Sequence, residues 1–435
     1  MELLLELVKR HKEGEDVGVY SVCSAHPLVI EAALRQGLKD DSIVLIEATS
    51  NQVNQYGGYT GMQPNDFTQL VREIADEVSF PYHRIVFGGD HLGPNCWQSL
   101  PAEEAMDRSE KLIQSYIEAG FRKIHLDCSM SCLGDSVPLT DSVVAERAAR
   151  LCAIAEQTWK SVGGEAPVYV VGTEVPVPGG AQESLDELEV TTESSARQTI
   201  EEHFSAFDDF GLSHVWPRVI GLVVQPGVEF DHHKVIHYQQ DKSQQLSRFI
   251  DTQPTMLFEA HSTDYQPASA YKALVKDHFA ILKVGPALTF ALREALFALD
   301  KLEQEWIGVQ QASHLRSTVE QVMREKPEYW ANYYQAAGHQ QILDCTYSFS
   351  DRIRYYWPHP EVQKSLNVLF ENLTQNPPPL TLLSQYLPAQ LQAVVRGEID
   401  LNPKALVIHK IMEVTETYSQ ACVGSLKEEV LCEVI

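Results

Sequence analysis

Eight short apolar runs, each followed by a helical stretch, recur from residue 17 to residue 284. They are Val17–Val22, Ile43–Ala48, Arg84–Phe87, Lys123–Asp127, Val168–Thr173, Val219–Val224, Met256–Glu259 and Phe279–Val284. Strands that alternate with helices at this spacing predict a parallel sheet. Eight such units within roughly 290 residues predict a closed (β/α)8 TIM barrel over residues 1–305. An open doubly wound sheet would want a glycine-rich fingerprint after the first strand. Ser24-Ala25-His26-Pro27 stands there instead. No G-x-x-x-x-G-K-[ST] occurs either, which argues against a P-loop kinase.

Beyond residue 305 the strands cease. Helices are expected at about 311–325, 327–337, 359–374, 380–396 and 403–422, forming a helical C-terminal region (306–435) packed on the barrel. Between two of them runs Ser350-Asp351-Arg352-Ile353-Arg354-Tyr355-Tyr356-Trp357, a concentrated cationic feature among aromatics.

The net charge of −26 repels phosphodiester backbones and anionic lipid, so no nucleic-acid or membrane partner is expected. The eight cysteines include no C-x-x-C pair and read as reduced thiols of a cytoplasmic protein. Residues 2–13 read as an amphipathic helix, not a signal peptide. No apolar run reaches the roughly 18 residues that a membrane span needs.

In a barrel of this type the chemistry lies at the carboxyl ends of the strands. Those ends read Glu47, Asp90-His91, Asp127, Glu174, His232-His233, Glu259 with His261, and Lys283-Gly285. The third strand is expected to break at Gly88-Gly89 and present Asp90 and His91 side by side. Histidines and carboxylates on one rim suit a divalent metal, Zn²⁺ first, with Mn²⁺, Ni²⁺ or Mg²⁺ as alternatives. His91, His261 and either His232 or His233 are the expected ligands, with Glu174 as a fourth candidate. Asp90, Glu47 and Glu259 are then left to move protons. Gly285-Pro286 opens a helix directly after the last strand, where free N–H groups would hold a phosphate. Ser262 and Thr263 lie in the neighbouring loop, and Arg352 and Arg354 would add charge if the C-terminal region folds over the mouth. Lys283 is read as a buried lysine paired with an acid, ahead of a Schiff-base lysine. The amides and tyrosines of the 49–63 loop suit a hydroxylated ligand. Val175-Pro176-Val177-Pro178-Gly179-Gly180 reads as a rigid exit from the fifth strand, with an acidic segment behind it.

Gly-Gly-Asp-His-Leu-Gly-Pro-Asn at 88–95, Gly-Thr-Glu-Val-Pro-Val-Pro-Gly-Gly at 172–180 and Glu-Ala-His-Ser-Thr-Asp at 259–264 resemble the GatZ/KbaZ family. So do Leu-Lys-Val-Gly-Pro-Ala-Leu-Thr-Phe at 282–290 and Ser-Asp-Arg-Ile-Arg-Tyr-Tyr-Trp at 350–357. The resemblance implies an accessory subunit of class II D-tagatose-1,6-bisphosphate aldolase in galactitol and N-acetylgalactosamine catabolism. Its implied partner is a separate catalytic subunit of the GatY/KbaY type, in an oligomer, with a sugar phosphate as ligand. Asp90-His91 also looks like the Asp-His pair of the catalytic class II aldolases, which are metal-dependent barrels. Their later histidine precedes a glycine-rich phosphate loop, whereas His261 precedes Ser262-Thr263-Asp264. A stand-alone metal-dependent 4-epimerase, acting on a ketohexose or its 6-phosphate by retro-aldol and aldol steps, is the alternative.

Overall fold

The eight apolar runs pair edge to edge until the circle closes. In the computed structural model, which describes residues 1–176, 179–181 and 188–423, the first six strands are β1 (Val19–Cys23), β2 (Val44–Thr49), β3 (Ile85–Leu92), β4 (Lys123–Leu126), β5 (Val168–Val171) and β6 (Val219–Val224). A two-residue hairpin, β7 (Glu229–Phe230) with β8 (Val235–Ile236), sits in the loop behind β6. β9 (Leu257–Ala260) and β10 (Ile281–Val284) complete the set. The order β1-β10-β9-β6-β5-β4-β3-β2 is a closed, all-parallel barrel, with Ser21 of β1 beside both Lys283 and Leu45. This is the expected (β/α)8 barrel, with strand ends within two residues of expectation except at β3.

β3 departs from expectation. It does not break at Gly88-Gly89 but runs on to Leu92, with an irregular register between Gly89 and Leu92. Alternation along a regular strand would send Asp90 and His91 to opposite faces. His91 instead adopts φ 49°, and the resulting bulge lets both side chains line the mouth. Two glycines make room here. A Cβ at Gly88 would stand 2.5 Å from Glu47 Oε1, inside the barrel. A Cβ at Gly93 would overlap the Asp127 carbonyl oxygen.

Helices clothe the barrel. Pro27–Asp40 buries Val29, Ile30, Ala33 and Leu34, and Pro286–Ile307 buries Leu288, Leu292, Leu296 and Leu299, each at helical spacing. Asp66 accepts the Gln63 N–H at 2.9 Å and so closes a capping box on the helix Pro64–Val78.

The C-terminal region is helical, with two corrections. The expected helix at 327–337 is absent; a short 3-10 turn, Pro327–Tyr329, is followed by the helix His339–Tyr347 behind Gly338 at φ 64°. The expected 380–396 helix splits into Leu380–Tyr386 and Pro388–Val395, because Pro388 lacks an N–H and disfavours helical geometry at Leu387. The last described helix, Pro403–Cys422, packs against Pro27–Asp40 and Pro286–Ile307. Among the described residues no helix is long and apolar enough to cross a membrane. Val177, Pro178 and the acidic residues 182–187 lie outside the described residues, as does 424–435.

Candidate metal and sugar site at the barrel mouth

Inside the barrel, charged side chains replace the usual apolar filling. Lys123 from β4 lies 2.7 Å from Glu47 Oε1 and bonds Glu259 Oε2. Lys283 from β10 bonds Glu47 Oε2 and lies 2.8 Å from Asp90 Oδ1. All five are buried. Buried charge is tolerated only when paired, and here each of three carboxylates has at least one of the two lysines beside it. Burial by itself would lower the Lys283 ammonium, but Asp90, Cys23 and the two glutamates hold it well above its ordinary range. It is therefore a paired cation and not a free amine for a Schiff base. Burial pushes the Asp90 and Glu259 carboxyls up. His91 and Lys283 outweigh it at Asp90, and Lys123 with Lys283 at Glu259, so both end well below the ordinary carboxylate range.

Above this layer stand three imidazoles. The ring centres of His91 and His261 are 5.0 Å apart, those of His91 and His125 5.2 Å, and those of His125 and His261 5.2 Å. Each ring has one nitrogen on a carboxylate. His91 Nδ1 meets Asp127 Oδ2 at 2.7 Å, His125 Nδ1 meets Asp90 Oδ1 at 3.0 Å, and His261 Nε2 meets Glu259 Oε1 at 3.0 Å. Burial pushes the His261 imidazolium down to about 4, so this ring is neutral and keeps a lone pair. At His91 burial also pushes down, but Asp90 and Asp127 more than reverse it. His125 Nε2 is buried with no hydrogen-bond partner.

The residues fit a divalent ion. A carboxylate on one imidazole nitrogen, with the other free, is how a metal-bound histidine is usually oriented. His125 and His261 would hold such an ion together with a carboxylate, and it would supply Lewis-acid chemistry there. The donor set, Asp90, His125, Glu259 and His261, has its ligand atoms all within 4.8 Å of one another. His91 is not a member of that set and stands beside it, with its ring centre 5.0 Å from that of His261.

A cavity of about 340 Å³ opens over this cluster. Asp90, His91, His261 and Lys283 line its floor, while Glu47 and Glu259 lie beneath it on Lys123. Asn51, Gln52, Tyr59 and Thr60 from the 49–63 loop line one wall. Arg354, Tyr355 and Trp357 of the C-terminal region form a roof.

Several sequence-predicted residues stand elsewhere. His232 and His233 do not reach the cluster: His232 Nε2 meets the Tyr333 carbonyl at 3.0 Å, and His233 Nε2 lies 3.1 Å from Asp344 Oδ1. The excursion that carries them ends in the β7–β8 hairpin and packs under the C-terminal region, away from the rim. Glu174 is exposed and accepts the Thr191 hydroxyl. Thr263 donates to the Lys283 carbonyl at 2.6 Å and meets Tyr418 Oη at 2.9 Å, so it braces the floor. Ser262, at φ 52°, does line the cavity. Arg352 lies behind the roof, where its Nε donates to the Tyr329 carbonyl at 2.6 Å and its guanidinium covers Tyr333 and Tyr355.

The helix start at Gly285-Pro286 is not a free anion site. Asp264 Oδ1 accepts the N–H of Gly285 at 3.1 Å and of Ala287 at 2.8 Å. The chain's own carboxylate occupies the place expected for phosphate. Sequence reasoning set Asp127 at the mouth without a role and left Lys123, His125 and Asp264 out of the site. The alternation Lys123-x-His125-x-Asp127 was the available signal, since it sets all three on one face of β4 and its exit.

The sequence matches, over residues 4–423, the family described as D-tagatose-1,6-bisphosphate aldolase subunit GatZ/KbaZ-like. Among solved structures, one from Sinorhizobium meliloti 1021, described as a probable tagatose 6 phosphate kinase, is 46% identical. It covers 93% of this chain and 100% of its own, at a TM-score of 0.85. The fructuronate-tagaturonate epimerase UxaE from Cohnella laeviribosi is 12% identical, covering 94% and 82% of the two chains at a TM-score of 0.47. Fructose-bisphosphate aldolase from Campylobacter jejuni is 13% identical, covering 85% and 94% at 0.44. At those two levels of likeness no chemistry is transferred. The match over nearly the whole described chain, together with the 46% identical structure, means that this chain belongs to the GatZ/KbaZ-like family of D-tagatose-1,6-bisphosphate aldolase subunits.

Proposed function

We propose that the chain is the accessory subunit of a class II D-tagatose-1,6-bisphosphate aldolase, supporting the activity and stability of a separate catalytic subunit of the GatY/KbaY type. The setting is cytoplasmic galactitol and N-acetylgalactosamine catabolism, in an oligomer of the two chains. The observation that carries this reading is Asp264 at the start of the helix Pro286–Ile307. A bisphosphate-cleaving barrel needs an anion site near its last strands, and here a carboxylate fills the helix start. P-loop kinase chemistry has no support, since the sequence carries no Walker A motif.

A second reading is favoured by the cluster of His91, His125 and His261 under an open cavity. A surface-acting subunit has no use for it. On this reading the mouth binds one divalent ion, Zn²⁺ first, with Mn²⁺, Ni²⁺ or Mg²⁺ as alternatives, and a ketohexose or its 6-phosphate. A bound ion would polarise the ketose carbonyl. Asp90 then takes up and returns a hydroxyl proton as the adjacent carbon–carbon bond opens and re-forms, which is 4-epimerase chemistry. Asn51 and Gln52 orient hydroxyls, and Lys283 keeps Asp90 in place.

Both readings are testable on two preparations, wild type and Asp90→Asn with His91→Gln. Surface support of the partner predicts that aldolase activation survives the double change. Metal-assisted turnover predicts that conversion of ketose phosphates by the chain alone is lost with it. Elemental analysis of His125→Ala with His261→Ala should show loss of bound metal. Unchanged metal would reduce those histidines to scaffold, and a wild type that neither activates the partner nor converts any ketose phosphate would end both readings.

A further inference from the structure

Arg354 stands apart from the other cations of the mouth. Lys123 and Lys283 are spent on carboxylates. Arg354 lines the cavity, and among the described residues no carboxylate is in salt-bridge contact with it, although Asp264 and Asp351 lie near enough to feel its charge; its Nη1 is anchored on the Ser350 and Asp351 carbonyls and its Nη2 meets Tyr355 Oη at 3.3 Å. Gly179, at φ 94°, packs against the guanidinium with no room for a side chain. A guanidinium held by backbone carbonyls is a preorganised anion donor.

Two more donors belong to the same cavity wall. His26 Nε2 and Trp357 Nε1 are buried without hydrogen-bond partners, and both residues line the cavity with ring centres 6.3 Å apart. His26 Nδ1 accepts the Leu28 N–H at 3.3 Å, which assigns the proton to Nε2. A buried donor with no hydrogen bond is destabilising, and a ligand oxygen that reached it would relieve that.

The other expected anion position is closed, because Asp264 occupies the N–H groups of Gly285 and Ala287. Asp264 is 2% exposed, and a second anion beside it would meet its charge.

We infer that the cavity takes an open-chain ketose bearing one terminal anionic group, held by Arg354 with His26 and Trp357, and that Asp264 excludes a second such group. This rests on the reading of the mouth as a ketose site. It assigns Arg354 and Asp264 as specificity-determining residues. A phosphate or a carboxylate would satisfy the same donors.

Calorimetric titration of the full chain, with Zn²⁺ or Mn²⁺ supplied, tests it against D-tagatose, its 6-phosphate, its 1,6-bisphosphate and a ketohexuronate. Wild type is expected to bind the better of the two ligands with a single anionic group about tenfold or more tighter than the free sugar, and the bisphosphate no tighter than the monophosphate. Which of these two ligands ranks first identifies the group. Arg354→Met should remove that advantage while leaving free-sugar affinity within about twofold. Asp264→Asn keeps an acceptor for the helix N–H groups, removes the charge, and should raise bisphosphate affinity relative to monophosphate. Equal weakening of sugar and sugar phosphate in Arg354→Met overturns the inference, as does a wild type that prefers the bisphosphate about tenfold. If thermal melting shows Arg354→Met unfolded, Arg354→Lys, with the charge kept but the fork lost, serves instead and should retain part of the advantage. A wild type that binds no ketose at all defeats the ketose-site reading itself. Binding without preference among the ligands defeats only this inference.

Discussion

Asp264 carries a charge that its surroundings oppose. Burial pushes its carboxyl up to about 6, although the N–H groups of Ala287 and Gly285 pull the other way. In the unfolded chain the same group titrates near about 3.9. Between those values the folded protein keeps a proton that the unfolded chain has lost. The contribution to stability is therefore fully present below about pH 4 and is lost as pH rises through about 6. Glu229, pushed by burial up to about 7, acts in the same direction. The difference between wild type and Asp264→Asn isolates the first group. Urea denaturation at several pH values should show the variant gaining on wild type as pH rises, by about 1–3 kcal/mol in total. Parallel pH profiles for the two proteins would mean that the helix-start N–H groups hold the Asp264 charge better than burial opposes it.

β3 and its exit show how one element sets the geometry of the mouth. Gly88 leaves room for Glu47, the bulge at His91 turns two adjacent side chains into the cavity, and Gly93 lets the strand exit lie against Asp127. Asp127 in turn holds His91 Nδ1. Gly93 itself is extended, at φ 172°, so its requirement is space and not backbone freedom. A methyl group at Gly93 must displace the Asp127 carbonyl, and overpacking of this kind costs about 1–3 kcal/mol. Gly93→Ala is expected to lower the melting temperature and to weaken metal uptake together, since the same shift moves the partner of His91. Wild-type stability with wild-type metal content would show that the two backbones separate at no cost.

At the scale of the molecule, the C-terminal region is not an appendage beside a finished barrel. Its helix Pro403–Cys422 buries Leu406, Ile411 and Tyr418. The Gly18 N–H, just before β1, donates to the Cys422 carbonyl at 2.9 Å, and Tyr418 reaches Thr263 in the loop after β9. The roof over the cavity comes from the same region. A chain ending at residue 305 would expose apolar faces of Pro27–Asp40 and Pro286–Ile307 to water. It is expected to lose cooperative unfolding and to aggregate, as read by circular dichroism melts and light scattering. A monomeric fragment with a sharp transition would establish residues 1–305 as an independent domain.

The barrel was legible because its cause is local and repeated. Runs such as Val219–Val224, apolar throughout and bounded by turns, have few ways to bury both faces other than a parallel sheet under helices. The acids and histidines at strand ends were legible for the same reason, since the ends of strands in such a barrel form one rim. What the sequence could not supply was pairing across distance. Lys123 reads as the first residue of a strand, and only closure of the barrel brings Glu47 and Glu259 onto it from residues 76 and 136 positions away. His232-His233 looks as good a ligand pair as His125 until the loop behind β6 carries it beneath the C-terminal region. Gly285-Pro286 looks like a phosphate cradle until Asp264, 21 residues earlier, folds back onto it. Periodicity along the chain determined which elements form and which ends converge. Which donors stayed free for a ligand, and which were spent on the protein itself, was decided only by tertiary contacts, because a buried polar group bonds whatever partner the closed structure brings within reach.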